Sequence, residues 1–281
     1  MLCQIGKCAV YAKKHARTLI IDTGAVEFRV GLEKYFVPLA PGIVFATPDL
    51  VATLENLATH PPTLSGRLNA YSAHYSGECR NYVLAGTRDR ISFDFGRDYA
   101  EPLLVHHACG GGLLSLDCLG RFKLSPGMVD KFYARIEVVG RHYAGVHVRH
   151  TDYRTDYVRF FNVIADKIRQ EPIVVCTDNR EVADHAKAFF GPRVHSFADL
   201  PDTGGQPLHY GTQLDRQTIN TDSILDLVTL ARARKLFVTP VSSGHFSGYS
   251  RLALALNRNQ ALVDQLLGRG RFERPPRTGA V

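Results

Sequence analysis

Apolar and polar positions alternate most regularly in the second half of the chain, where the period switches between that of a strand and that of a helix. Val146 to Arg149 reads as a short buried strand, and Tyr157 to Gln170 as a helix with Phe161, Ile164, Ala165 and Ile168 on one face. Ile173 to Cys176 is a second strand, and a helix from Glu181 to Phe190 closes on Gly191-Pro192. A strand at Val194 to Phe197 and a long polar loop lead to a helix from Thr221 to Arg232. The last strand, Lys235 to Thr239, runs into S-S-G-H-F-S-G and a final helix. Strands alternating with helices predict an α/β domain on a parallel, Rossmann-like sheet.

The first half is less patterned. Leu2, Ile5, Ala9 and Ala12 fall at helical spacing and lead into a strand from Thr18 to Asp22. A parallel α/β domain ordinarily opens on a strand before its first helix, and here the helix comes first. Glu27 to Tyr35 predicts a short helix, Gly42 to Ala46 a strand, and Asp49 to Ala58 a helix behind an aspartate cap. Asn69 to Gly86 shows no period and reads as a long loop of the kind that carries acceptor contacts. Leu103 to Val105 is a strand ending in H-H-A-C-G-G-G, whose Gly110, Gly111 and Gly112 allow either close approach to a ligand or a tight turn. Leu124-Ser125-Pro126-Gly127 then punctuates the chain before a helix from Met128 to Ile136. The expected organisation is therefore residues 1–125, residues 126–267 and a basic tail at 268–281.

Composition narrows the class. The 281 residues, 45% hydrophobic and 22% charged, describe a globular chain large enough for one large or two medium α/β domains. No apolar run reaches the length of a membrane span and the N-terminus has no signal-peptide core, so a cytoplasmic protein is expected. The six cysteines form no C-x-x-C pair, which fits reduced thiols rather than a disulfide framework. A net charge of +7 suits an anionic partner. Without a ribonucleoprotein motif, zinc-finger spacing or an aromatic-interleaved basic patch, nucleic acid is not that partner. The arginines at 269, 271, 274 and 277 read as a solvated tail or as a peripheral membrane contact.

The candidate chemistry collects at strand ends. Three loops leave C-terminal strand edges, where open α/β sheets bind ligands: His150 to Asp156, Thr177-Asp178-Asn179, and Val241 to Ser247. Strand alternation turns His147 and Arg149 to one face and Val146 and Val148 to the other, so that guanidinium and imidazole emerge together at the mouth of the sheet. That pair suits a phosphate better than a metal, because a guanidinium offers phosphate oxygens a planar fork of donors and cannot ligate a cation. Ser242, Ser243 and Gly244 precede a helix and read as an anion cradle or as a plain cap. Asp178 and Asn179 read as contacts to a ribose or base edge, or as caps of the next helix. Asp226, in the apolar frame L-D-L-V, is either a ligand-facing carboxylate or the polar member of an amphipathic face. A nicotinamide dehydrogenase would share the sheet but needs a G-x-G-x-x-G after its first strand, which is absent here. A metal site from His147, His150 and Asp152 is opposed by strand geometry, which separates the two histidines.

The order H-V-R-H-T-D, V-V-C-T-D-N, L-H-Y, S-I-L-D-L-V-T-L-A-R-A and F-V-T-P-V-S-S-G resembles the donor domain of the fucosyltransferase superfamily, over about Pro126 to Ala255. The opening L-C-Q-I to K-K-H-A-R-T-L-I-I-D is similar to the helix and strand that follow that family's N-terminal Gly-rich loop. The resemblance implies a GT-B architecture, with two Rossmann-like domains of mostly parallel sheet facing a central cleft. It also implies a GDP-fucose donor, a glycan acceptor, inversion at the anomeric carbon, and no metal or other cofactor. Arg149 falls on the arginine that contacts the donor pyrophosphate, with His147 and His150 at the flanking positions. Asp178, Asn179, Asp226, Ser242 and Ser243 fall where the family holds guanine, ribose and phosphate. Tyr157 stands where the core enzymes carry a glutamate, so a base must come from elsewhere. Asp152 and Asp156 are the local candidates, with His106 or His107 as further ones. Because the Gly-rich loop and its strand have no counterpart before Met1, the native reading frame is expected to begin earlier. Transfer from another nucleotide sugar, or a non-catalytic nucleotide- or glycan-binding module, are the competing readings.

Overall fold

The structure is a computed structural model that describes residues 1–24, 28–112, 114–201, 215–241 and 244–268. The N-terminal elements are α1 (Leu2–Lys14), β1 (Leu19–Ile21), β2 (Phe36–Pro38), β3 (Ile43–Phe45), α2 (Pro48–Leu54) and β4 (Thr59–His60). They continue as β5 (Ala73–Ser76), β6 (Asn81–Leu84), β7 (Leu103–Leu104), α3 (Leu114–Leu119) and β8 (Phe122–Leu124). The second half comprises α4 (Pro126–Val139), β9 (Ala144–Val148), α5 (Tyr157–Ile168), β10 (Ile173–Thr177), α6 (Arg180–Phe190) and β11 (Val194–His195). It ends with α7 (Arg216–Arg232), β12 (Lys235–Val238), α8 (Gly248–Arg258) and α9 (Gln260–Leu266). The fold is mixed α/β with mostly parallel pairing; β5–β6 is an antiparallel hairpin. Among the described residues no helix is long and apolar enough to cross a membrane.

Two compact units emerge, the first from Met1–Asp22 with Pro38–Arg121, the second from the described parts of 23–37 and of the chain from Phe122 on. In the first, β1 pairs in parallel with β3 and β4 with β7. Here α1 packs on α3 so closely that a Cβ on Gly6 would lie 2.7 Å from the Leu114 carbonyl oxygen. Tyr11, Phe93 and Tyr99 form an aromatic core, with Phe95 and Leu104 against it. Gly110 sits at φ 116°, and a Cβ on Gly112 would come within 2.8 Å of Cys3 Sγ, so this glycine run lets its turn pack on the first turn of α1.

Three predicted segments differ from the structure. Where a helix was expected from Glu27 to Tyr35, the described part holds a single 3-10 turn at Leu32–Lys34, entered from Gly31 in extended backbone. Thr47, not Asp49, caps α2: its side chain accepts from Leu50 N, and Pro48 occupies the first helical position. The unpatterned stretch around Asn69 to Gly86 contains the β5–β6 hairpin, in which Tyr75 faces Tyr82. Of the residues in its strands A-H-Y-S and N-Y-V-L only Val83 is buried, so no run of buried apolar alternation marks them.

The second unit is organised by a four-stranded parallel sheet in the order β11-β10-β9-β12. Every residue of β9 and β10 is buried, as a sheet covered by helices on both faces requires. On one face Phe161, Ile164 and Ile168 of α5 and Val182, Ala186 and Phe190 of α6 pack on Val146, Val148 and Val175. Helix α7 packs on the sheet at Gly145, where a Cβ would meet that of Ala233 at 2.9 Å. Residues 28–37 are stitched into this unit: Phe28 O accepts from Asn220 Nδ2, and Tyr35 O from Ser125 N.

Candidate functional site

Strand β9 ends at Val148, and the next residues turn over the C-terminal edge of the sheet. Arg149 is the first of them, and two carboxylates hold its guanidinium. Its Nε donates to Asp152 Oδ1 at 2.7 Å, and its Nη1 lies 3.0 Å from Asp178 Oδ2. Asp178, the first residue past β10, is anchored in turn: its Oδ1 accepts from His150 N at 2.9 Å and its Oδ2 from the Thr151 hydroxyl at 2.5 Å. The loop is closed by Thr155, whose backbone N–H lies 3.3 Å and whose hydroxyl oxygen 3.0 Å from His150 Nδ1. The His150 ring stands edge-on to Tyr157.

His147 does not share this mouth. Its ring is only 5% exposed, lies against Tyr249, and contacts Ser250 Oγ through Nδ1 at 2.9 Å. Burial pushes its pKa down to about 4, so the ring is neutral. Ser250 Oγ is in turn 2.9 Å from Ser247 Oγ, and Ser247 is the residue that caps α8. The helix therefore starts at Gly248, later than S-S-G suggested. Gly244 stands apart from it, exposed and at φ 78°, while Ser242 and Ser243 lie outside the described residues.

Asp156 and Asn179 both serve as caps: Asp156 accepts from Arg159 N at the start of α5, and Asn179 from Val182 N at the start of α6. Asp226 faces the interior, 7% exposed, and Arg135 Nη1 holds it at 2.6 Å while Nη2 holds Asp222 at 2.8 Å. Burial outweighs the pull of Arg135 and pushes the Asp226 carboxyl up to about 6. The Arg135 guanidinium also lies over the Phe197 ring. Beside these groups, between α4 and α7, is a cavity of about 570 Å³ lined by Lys131, Arg135, Phe197, Asp215, Thr218 and Asp222.

Thr151, Thr155, Ser247, Ser250 and Arg135 were not singled out from the sequence. Arg135 carries a readable signal, because Met128, Phe132, Arg135 and Val139 make the buried face of α4. An arginine on such a face requires a buried carboxylate, and L-D-L-V supplies one. His106 and His107 lie in the first unit. The His106 ring lies between Ser92 Oγ at 2.8 Å and Gln4 Oε1 at 3.0 Å, and burial lowers its pKa to about 4. His107 Nδ1 meets the Tyr71 hydroxyl at 3.3 Å. Among the described residues no three His, Cys, Asp or Glu side chains form a metal ligand set.

No protein-family model and no curated protein sequence matches the chain. Solved structures do. NodZ α-1,6-fucosyltransferase co-crystallised with GDP aligns over 91% of this chain and 87% of its own, with TM-score 0.59 and 18% identity. The same enzyme soaked with GDP-fucose gives TM-score 0.57 and 20% identity over the same shares. The selenomethionine form of NodZ from Bradyrhizobium gives 0.57 and 19% over 91% and 87%. The chain has a fucosyltransferase-like fold. At this identity the likeness is one of fold, and residue roles rest on the geometry above. In that fucosyltransferase-like framework Arg149, Asp178 and Phe197 follow three neighbouring strands, β9, β10 and β11, at the same sheet edge.

Proposed function

We propose that this protein is an inverting glycosyltransferase of GT-B class that moves fucose from GDP-fucose to a hydroxyl of a glycan acceptor without a metal ion. The observation that carries the reading is Arg149 at the C-terminal edge of β9, in a fold shared with a fucosyltransferase crystallised with GDP. The guanidinium takes the donor diphosphate and offsets the charge that grows on it as the sugar leaves; one such fixed donor is worth about 3 kcal/mol in the transition state. Strand neighbours lie roughly 5 Å apart, so the cavity beside Phe197 is about two spacings from Arg149, within reach of a nucleoside diphosphate. Its carboxylates and cations suit the N–H and carbonyl edges of guanine, with Asp226 behind Arg135. His150, Asp178, Asn179, Ser242, Ser243 and Gly244 complete the proposed donor contacts, and His147 supports α8 through Ser250. The acceptor hydroxyl attacks the anomeric carbon opposite the diphosphate, and Asp152 or Asp156 takes its proton.

Calorimetric titration with GDP-fucose, GDP-mannose, UDP-glucose and NAD tests this. Selective binding of the guanine nucleotides is expected, weakened about 100-fold in Arg149→Ala. Equal binding of UDP-glucose favours transfer from another nucleotide sugar. Binding without turnover of any glycan favours a non-catalytic module, and binding that survives Arg149→Ala removes the assigned phosphate site.

A further inference from the structure

Building on the donor site proposed above, we infer that Asp152 is a donor-gated base: it holds the Nε edge of Arg149 until a diphosphate displaces it, and only then accepts the acceptor's proton. The geometry separates the two carboxylates on the guanidinium. Asp178 is fixed, its side chain 9% exposed and its oxygens already taking His150 N and the Thr151 hydroxyl. Asp152 sits on the loop between β9 and α5 with its side chain 34% exposed, and among the contacts of its carboxylate is the one to Arg149 Nε at 2.7 Å. Two carboxylates occupy the donor edges of one guanidinium, so a diphosphate must displace one of them, and Asp152 is the more exposed of the two.

A carboxylate paired with a guanidinium is held in its ionised, weakly basic form. Once phosphate oxygens occupy the Nε edge, Asp152 loses that stabilisation and stands beside added negative charge, both of which raise its affinity for a proton. The proton of the acceptor hydroxyl then passes to the Asp152 carboxylate while the hydroxyl oxygen bonds to the anomeric carbon. The bond from that carbon to the phosphate oxygen breaks, and its electron pair leaves on GDP opposite Arg149. Asp156 is less suited: its carboxylate caps α5 through Arg159 N, a contact that donor binding at Arg149 does not release.

The test is Asp152→Asn and Asp152→Ser in the full chain, with GDP affinity by calorimetry and release of GDP from GDP-fucose with water as acceptor. Removing the competing carboxylate removes the fraction of molecules closed to donor, so GDP should bind about 3- to 10-fold more tightly to both variants while GDP release falls at least about 100-fold. Unchanged or weaker GDP binding overturns the gating. Tighter binding with wild-type turnover overturns the base role. If the wild-type chain binds neither GDP nor GDP-fucose, the donor reading itself fails, an outcome distinct from both.

Discussion

Buried histidine and aspartate in the second unit pull its pH dependence in opposite directions. His147 is neutral in the fold with a pKa of about 4, against 6.5 for an unburied ring, so the unfolded chain binds the proton more readily between those values. Its contribution to stability is therefore present above pH 6.5 and lost as pH falls toward 4. Asp226 behaves oppositely: with its carboxyl raised to about 6, the folded state binds the proton first, and stability falls as pH rises from about 4 to about 6. A His147→Asn variant removes only the first effect. Wild type should be the more stable at pH 7, and the gap measured by urea unfolding should narrow by roughly 2–3 kcal/mol between pH 7 and pH 4.5. A gap that stays constant would mean that folding leaves the proton affinity of His147 unchanged.

The regular β/α alternation after Pro126 was legible because each helix there has one apolar face and each buried strand is a short continuous run. Phe161, Ile164 and Ile168 were assigned together by spacing and lie together under the sheet. Gly145 illustrates what spacing leaves out. Nothing local distinguishes it, yet the approach of α7 leaves no room for a Cβ, with Ala233 at 2.9 Å and Leu230 at 3.2 Å. Gly145→Ala is expected to cost about 1–3 kcal/mol in chemical denaturation, as α7 is pushed off β9. The β5–β6 hairpin was missed for the opposite reason: only Val83 of its strand residues is buried, too little for a readable period, and the pairing shows itself in the backbone partners and in Tyr75 against Tyr82. The 3-10 turn at Leu32–Lys34 was mistaken for a helix because Leu32, Tyr35 and Phe36 are buried, as a helical face would be, though here a short irregular segment buries them.

At the level of the whole molecule, a nucleotide that binds only the folded chain must stabilise it. At 100 times its dissociation constant, GDP is expected to add about 2.7 kcal/mol and raise the calorimetric Tm, while NAD leaves it unchanged and Arg149→Ala at the same GDP concentration retains only about 0.4 kcal/mol. The amino-acid sequence by itself determined the parallel α/β class, the alternation of strands and helices from β9 to β12, and the three loops that leave strand C-terminal ends, because periodicity and turn chemistry act over a few residues. It also placed Arg149 at a strand end. Only the tertiary structure decided what each polar group touches. Arg135 meets Asp226 across 91 residues of chain, His147 meets Ser250 across 103, and the guanidinium of Arg149 is shared between a neighbour in its own loop and Asp178. Local pattern tells which face a side chain occupies; what packs on that face, and hence its charge and partners, is set by elements distant in sequence.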